Sequence, residues 1–161
     1  MRLLLNYAEN HYDEERLVDF MMTELEDIEF TNPVYRDIYQ HFRNGADEGR
    51  VVDTLYFMEH GTELVKQAVA ELTTQRYETS RHWTEKYHIH FPHEKEVLKD
   101  MAYTNVLRFK FRLIQKLMED NLQQMKNATS EDDREKYFTI HEQLKGADKD
   151  LAALLGIVVA K

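Results

Sequence analysis

The sequence has no cysteine, only two prolines and only five glycines among its 161 residues. The lack of cysteine excludes disulfide scaffolds, cysteine-ligated zinc sites, iron–sulfur clusters and thiol nucleophiles. So few glycines and prolines leave little from which to build glycine-rich phosphate loops or the dense turns of an all-β fold. The chain also lacks an apolar run close to the ~20 residues that a membrane span needs, and its start lacks the apolar segment of a signal peptide. We therefore expect a cytoplasmic protein.

The composition is that of a globular domain, with 42% hydrophobic and 32% charged residues. The formal net charge of −9 is unevenly distributed. Residues 1–92 contain 18 acidic and 9 basic side chains, whereas residues 93–161 contain 12 of each. Because an acidic first segment repels a phosphate backbone, we expect no direct nucleic-acid binding. The lack of a long apolar run leads us to expect no membrane association either.

Apolar residues recur at spacings of three and four along most of the chain, and no segment alternates with a period of two. This pattern predicts an all-α fold without strands. One helix is predicted near Glu14, and another begins at Asn32-Pro33 because Asn caps free amides and Pro fits the first helical position. Gly45 is predicted to end that helix. The next two apolar stripes are predicted at Val51, Val52, Leu55 and Tyr56, and at Leu64, Val65, Ala68 and Leu72.

Beyond Pro92 no proline or glycine occurs before Ala128, which predicts one long helix over residues 93–128. Its predicted buried stripe comprises Val97, Met101, Leu107, Phe111, Ile114, Met118, Leu122 and Met125. Ser130 and Asp133 match a capping box, so a final helix over 129–161 is expected to return antiparallel and to end near Gly156. About 35 helical residues span roughly 52 Å, more than the diameter of roughly 33 Å of a compact body of about 100 residues. We expect a multi-helix globular bundle over residues 1–92 and a protruding C-terminal hairpin. Leu117, Leu154, Val158 and Val159 lie off or beyond a single seam between its two helices, so we expect apolar surface to stay open there.

The residues that could carry chemistry do not form a convincing active site. The histidine-rich segment fits no helical i, i+4 ligand pair, so a structural or surface role is favoured over a metal site for His82, His88, His90 and His93. The Glu85-x-x-His88 element occurs once, whereas a di-iron bundle needs it twice. We expect no catalytic residue, no metal and no cofactor. A helical metalloenzyme stays a minor alternative.

The segment 101–118 has four basic side chains and no acidic one: Arg108, Lys110, Arg112 and Lys116. The simplest interpretation is a solvated helix face, and the alternative is a docking site for an acidic peptide or a phosphate. Aromatic residues alternate with these cations, at Tyr103, Phe109 and Phe111. Stacking on nucleic-acid bases is disfavoured, since residues two apart scatter around a helix axis.

Four segments of the chain are specific enough to compare with a family: LLLNY, ELEDIEFTNPVYRDIYQHF, HIHFPHEKEVLKDMAYTNVLRFKFRLIQKLMEDN and DLAALLGIVV. Together they resemble the C-terminal region of bacterial DNA primase of the DnaG type, most closely its Bacteroidetes versions, over essentially the whole chain. The resemblance implies a helical bundle and a helical hairpin that docks the primase onto the N-terminal domain of the replicative helicase of the DnaB type during RNA primer synthesis. It also implies a segment of a longer polypeptide.

The resemblance assigns the helicase contact to residues of the hairpin: Tyr137, Phe138, His141, Leu151, Leu154, Leu155, Val158 and Lys161. It further implies a site for the acidic tail of single-stranded DNA-binding protein at Arg108, Arg112 and Lys116. The zinc-binding and Toprim modules of the family have no counterpart in this chain, so we expect no enzymatic activity from it alone. Two alternatives stay open: a free-standing helical adaptor or regulatory protein unrelated to primase, and a homodimer formed through the hairpin.

Overall fold

The computed structural model describes residues 1–74, Lys86 and 94–157. Residues 1–74 and 94–157 form seven helices and one two-stranded sheet, which confirms the predicted all-α class. The expectation that the chain has no strands was wrong, because two strands of two residues each pair near the N-terminus. The elements in chain order are α1 (Arg2–Tyr7), β1 (His11–Tyr12), β2 (Glu15–Arg16), α2 (Leu17–Glu24), α3 (Pro33–Glu48), α4 (Thr54–His60), α5 (Glu63–Thr73), α6 (Leu98–Asn127) and α7 (Glu131–Leu154). They fall into two compact units, Met1–Ala102 and Tyr103–Lys161. The sequence-based division at residues 92 and 128 stays a prediction.

The core of the first unit is built around α5, which packs against α1, α3 and α4, while α2 packs against α1 and α3. The largest fully buried side chains of this core are Leu4, Leu17, Ile38, Phe42, Phe57, Val65 and Val69. Burial of each large apolar side chain contributes roughly 1.5–3 kcal/mol. None of the helices among the described residues is both long and apolar enough to cross a membrane.

The start of α3 is as predicted, but its end is not. The Asn32 carboxamide oxygen accepts hydrogen bonds from the amides of Val34 (2.9 Å) and Tyr35 (3.3 Å), and Pro33 is the first helical residue. The prediction that Gly45 ends the helix was wrong, because α3 continues to Glu48 and ends at Gly49, whose φ is +66°.

Gly45 serves a different purpose within α3. It is buried, and a Cβ atom at this position would collide with Cγ2 of Val52 and lie 3.0 Å from the carbonyl oxygen of Arg50. The glycine therefore lets the loop after α3 pass close to the helix. A glycine that allows close approach and a glycine that ends a helix look the same in a single sequence.

The segment before α2 is the second correction to the sequence-based prediction. β1 and β2 pair antiparallel with His11 opposite Arg16, and Asp13 has a left-handed φ of 54° in the turn between them. The helix predicted near Glu14 therefore begins only at Leu17. Two-residue strands are too short to show an alternating pattern, and adjacent carboxylates are also typical of a first helical turn.

The apolar residues around α4 and α5 are not all buried as predicted. Three of them are strongly exposed: Val51 (54%), Leu55 (70%) and Leu64 (67%). The buried positions of this region are Val52, Phe57, Val65 and Val69. The predicted stripes contained adjacent apolar residues, and periodicity alone does not say which of two neighbours faces the core.

The long helix is present, but it begins later than predicted. Residues 94–97 form a turn, in which Glu94 accepts a hydrogen bond from the Tyr7 hydroxyl at 2.7 Å and pairs with Arg2. The early buried positions of the helix are Leu98, Ala102 and Val106 instead of Val97 and Met101. Leu107 is buried as predicted, so the difference is confined to the start of the helix, where the contacts of the turn with Tyr7 and Arg2 are not visible in a local pattern.

Several predictions concern residues outside the described ranges. These are the proposed metal or surface histidines and their neighbour, His82, Glu85, His88, His90 and His93, together with Pro92 and the hairpin residues Val158 and Lys161. For these positions the sequence-based predictions stand as stated.

Candidate protein-binding surface

The second unit contains a helical hairpin whose turn is held by side-chain caps. Ser130 Oγ accepts a hydrogen bond from the Asp133 amide (3.0 Å), which confirms Ser130 as the N-cap of α7. The Asp133 carboxylate accepts a hydrogen bond from the Ser130 hydroxyl (2.9 Å) and not from the Ser130 amide, so the reciprocal half of the predicted capping box is not formed. Arg134 Nε donates to the carbonyl of Ala128 (3.2 Å) across the turn. These contacts start α7 directly after residues 128–130, so α7 runs back antiparallel to the end of α6.

One side-chain hydrogen bond sets the register of the hairpin. The carboxamide of Asn121, 8% exposed, donates to the carbonyl of Tyr137 at 2.9 Å. Counting equal numbers of residues away from the turn brings Val106 of α6 level with Ala152 of α7. Both of these side chains are buried (3% and 1%).

The predicted partner-contact residues of α7 fall into two groups. Phe138 and Leu154 are exposed (56% and 61%) and are available to a partner. Four others are half-buried: Tyr137, His141, Leu151 and Leu155. Together with half-buried Leu144 and Asp148 they recur at spacings of three and four, and we call this face of α7, which we infer lies against α6, the hairpin seam. The six of these residues that the structure describes therefore do not form one open surface, and only Phe138 and Leu154 are free for an intermolecular contact in the hairpin as it stands.

The hairpin seam also contains polar atoms without partners. The atoms His141 Nδ1 and Asp148 Oδ1 are buried and accept or donate no hydrogen bond within the described residues. Each buried polar group left unpaired typically costs about 1–3 kcal/mol. We infer that α6 and α7 are joined less tightly than two helices with a wholly apolar seam.

The predicted basic site forms an exposed row on α6. Arg108, Arg112 and Lys116 are four residues apart, so their Cα atoms lie on one helix face over roughly 12 Å. All three side chains are exposed, and none has a carboxylate partner in the part of the chain that the structure describes. An unpaired row of cations is able to bind an extended acidic segment.

Sequence reasoning identified Leu117 and Leu154 as lying off the seam but missed the surface they belong to. With 100° per residue, five apolar residues fall on the same side of the two antiparallel helices, which we call the hairpin flank: Leu113, Leu117, Ile140, Ala147 and Leu154. Leu117 and Leu154 are 43% and 61% exposed, and the other three are half-buried. The seven-residue spacing of 140, 147 and 154 was the available signal.

A cavity of about 430 Å³ lies in the first unit between α3 and the loop that precedes it. Two polar side chains that line this cavity already form hydrogen bonds with the backbone before α3. The Tyr39 hydroxyl donates to the carbonyl of Leu25 (3.0 Å), and Arg36 Nε donates to the carbonyl of Phe30 (2.9 Å). Burial raises the pKa of Tyr39 above its usual 10.0, so the phenol is a neutral donor at physiological pH. We therefore assign these side chains a structural role.

No group of three or more His, Asp or Glu side chains in residues 1–74, Lys86 and 94–157 is placed to hold a metal ion. The predicted histidine segment lies outside these ranges.

The family model described as Domain of unknown function (DUF8430) matches residues 1–158, nearly the whole chain, and the chain belongs to that family. No curated protein and no solved structure matches it.

Proposed function

We propose that this member of the DUF8430 family is the protein-interaction domain of a replicative DNA primase. In this proposal the hairpin docks the primase onto the N-terminal domain of the replicative helicase, of the DnaB type, during RNA primer synthesis. The resemblance to the C-terminal region of DNA primase supplies the identity of the partner. The observation that carries the proposal is the exposure of Phe138 and Leu154 on α7.

The two sides of the hairpin that its own helices do not cover are the physical basis of the proposal. A hairpin buries the seam between its members and leaves apolar residues on its sides in water. Phe138 and Leu154 lie on opposite sides of the seam, because they are separated from it by about +100° and −100° around α7. A partner that contacts both residues would therefore have to lie on both sides of α7. In this proposal Val158 and Lys161, which follow α7 in the sequence, add to the contact.

The test is a calorimetric titration of the chain with the N-terminal domain of a DnaB-type helicase. We expect the double variant Phe138→Asp/Leu154→Asp to bind at least tenfold more weakly, since loss of two central apolar contacts costs more than about 1.4 kcal/mol. Leu55→Asp is the matched control, because Leu55 is a similarly exposed leucine (70%) in the first unit. Its affinity should stay within twofold of the wild-type value. No binding by the wild type, or equal loss in the control, would contradict the proposal.

We propose further that the basic row of α6 receives the acidic C-terminal tail of single-stranded DNA-binding protein. What supports this is the absence of carboxylate partners for Arg108, Arg112 and Lys116 among the described residues. Simultaneous reversal of these three charges to Glu should abolish binding of an acidic tail peptide. The control reverses three other exposed cations of the hairpin and changes the net charge equally: Lys126, Lys136 and Lys149. If both triple variants weakened binding of the tail peptide equally, the effect would come from net charge alone and the assignment of a site to this row would be wrong.

Under this proposal the chain acts only as a docking domain. We expect no primer synthesis by the isolated chain on single-stranded DNA with nucleoside triphosphates and Mg²⁺. Synthesis of oligoribonucleotides by the purified chain would overturn this assignment.

A further inference from the structure

A row of three polar side chains connects α3 and α4 in the first unit. The hydroxyl of Tyr56 on α4 lies 3.1 Å from Nδ1 of His41 on α3. Nε2 of the same imidazole lies 3.6 Å from Oδ1 of Asp37, one helical turn earlier on α3. A carboxylate beside Nε2 favours the tautomer that has its proton there, so Nδ1 is left to accept the phenolic proton. The order of the three groups is therefore carboxylate, imidazole, hydroxyl.

This order is typical of an activated nucleophile. A base within about 2.6–3.2 Å of a hydroxyl, oriented in turn by a third group, prepares that hydroxyl to attack an electrophile. The contact of Asp37 with His41 is longer than a hydrogen bond, as is common before a substrate is bound. The side chain of His41 is 33% exposed and that of Asp37 is 47% exposed, and Tyr56 is half-buried, so the three groups lie at the protein surface.

Two more basic side chains contact the aromatic ring of Tyr56. The guanidinium carbon of Arg50 lies 4.9 Å from the ring centroid, and the His60 imidazole stacks on the ring with 4.8 Å between centroids. A cation at this distance stabilises the negative charge that a phenol acquires as it loses its proton. Tyr35 has different surroundings, because its side chain is 37% exposed and its hydroxyl makes no hydrogen bond within the described residues.

The charges around Tyr56 favour an uncharged electrophile. Each of the three bases has a carboxylate nearby, in the pairs His41–Asp37 (3.6 Å), Arg50–Glu48 (3.1 Å) and His60–Glu59 (4.0 Å). These acids, in a chain whose net charge is −9, repel an anionic phosphoryl donor. An ester or thioester group is uncharged, so an acyl donor fits this site better than a phosphoryl donor.

We propose that Tyr56 is a site of covalent modification by activated acyl esters, with His41 as the general base and Asp37 as the residue that orients it. In this step the phenolic oxygen of Tyr56 forms a bond to the carbonyl carbon of the ester, and its proton passes to Nδ1 of His41. The bond from that carbon to the leaving group breaks, and the leaving group keeps the electron pair. The imidazolium then releases its proton to water, and the product is an acyl ester of Tyr56.

This inference does not depend on the helicase proposal, because it concerns only α3, α4 and the loop between them. The reaction modifies the chain once and is not the turnover of a substrate. It is tested without any partner protein, so a negative result would leave the docking proposal to its own titration.

The test uses p-nitrophenyl acetate and the full wild-type chain at neutral pH. Absorbance follows the release of p-nitrophenolate, and mass spectrometry of peptides locates the acetyl group that stays on the protein. Hydroxylamine removes an acetyl group from a phenol but not from a lysine amine, so it separates the two products. We expect acetylation of Tyr56 to be at least about tenfold faster than that of Tyr35, because a positioned general base contributes about 10²–10⁴ to a rate.

Two variants test the roles of the other groups. His41→Gln keeps a polar side chain beside the phenol but removes the base, so acetylation of Tyr56 should slow at least about tenfold. His11→Gln is the matched control, because His11 is an exposed histidine of β1, and its rate should equal that of the wild type. Asp37→Asn should slow the same step and shift the tautomer equilibrium of His41, measured by ¹⁵N nuclear magnetic resonance of the imidazole.

Three results would overturn the proposal: no acetyl group on Tyr56, equal rates for Tyr56 and Tyr35, or an unchanged rate in folded His41→Gln. The comparison of the two tyrosines is made within the wild-type chain, so it does not depend on how the variants fold. An unchanged His41 tautomer in Asp37→Asn would overturn the orienting role of Asp37.

Discussion

The two units of this protein bury their apolar residues to very different extents. The first unit has several large side chains with almost no exposure, among them Phe42 (1%) and Phe57 (0%). In the described part of the second unit the buried residues are Val106, Leu107, Asn121 and Ala152, one of them polar. Several helices around a centre enclose side chains on all sides, whereas a pair of helices encloses only one line. We infer that the first unit supplies most of the stability and the second most of the surface available for binding.

The largest expected effect tests this contrast directly. Phe57→Ala should lower the free energy of unfolding by about 3–5 kcal/mol, because it opens a cavity in a fully enclosed core. Phe138→Ala removes the same ring from a side chain that is 56% exposed and should change stability by no more than about 0.5 kcal/mol. Urea unfolding followed by circular dichroism measures both. Similar losses for the two variants would contradict the division of roles between the units.

The second effect concerns the two helical glycines, Gly45 and Gly146. Gly45→Ala should destabilise by about 1–2 kcal/mol, since the new Cβ would press against the rigid, buried Val52 side chain. Gly146 lies in the uninterrupted helix α7 with open space around it, so Gly146→Ala should stabilise by about 0.5–1 kcal/mol through helix propensity. Thermal unfolding compares the two variants. A change of the same sign in both would show that one of the two local environments is wrongly described.

The third effect tests how the first unit holds its loop. Tyr39→Phe removes the hydrogen bond to the Leu25 carbonyl and should cost about 1 kcal/mol at neutral pH. Burial raises the pKa of Tyr39 in the folded state, so the folded state retains this proton more strongly than the unfolded state does. The corresponding stability is complete below pH 10 and is lost as the pH rises through the raised pKa.

The alkaline loss of stability should therefore be shallower in Tyr39→Phe than in the wild type, as measured by urea unfolding at pH 8 to 11. Tyr35→Phe is the control, because the Tyr35 side chain is 37% exposed. An identical pH profile for wild type and Tyr39→Phe would refute the role assigned to this phenol.

The smallest effect tests the polar seam of the second unit. Asp148→Leu replaces a side chain whose buried Oδ1 has no partner and should stabilise the hairpin by about 1 kcal/mol. Asp150→Leu changes the charge equally at an exposed position of the same helix and should leave the hairpin unaffected. Hydrogen exchange of the α6 and α7 amides is the measurement. Lower protection in Asp148→Leu would show that the carboxylate has a favourable contact in solution.

Local chemistry explains which features were predictable. The Asn32-Pro33 start of α3 and the Ser130 cap of α7 each involve residues within three positions of one another. Their hydrogen bonds depend only on local backbone geometry, so a sequence pattern is sufficient to identify them. The end of α3 was not predictable in this way. Gly45 is needed because Val52 and Arg50, which follow the helix in the chain, lie too close to it for a Cβ atom.

The candidate surface was predictable only in outline. The hairpin and the exposure of Leu117 and Leu154 off its seam follow from helix length and spacing. The separation of Phe138 from half-buried Tyr137 and His141 required the register between α6 and α7, which depends on the Asn121 hydrogen bond. The exposure of Val51 and Leu55 likewise depends on how the loop after α3 enters α4.

The sequence by itself determined the helical class, the caps and the turn of the hairpin, because these depend on interactions within a few residues. Only the tertiary structure decided which of two adjacent apolar residues is enclosed, where a glycine is needed for close approach, and which side of the hairpin stays open. Those outcomes depend on the rotation of each helix against its neighbours. A rotation of 100° exchanges one residue for the next without altering the periodic pattern from which the helix was predicted.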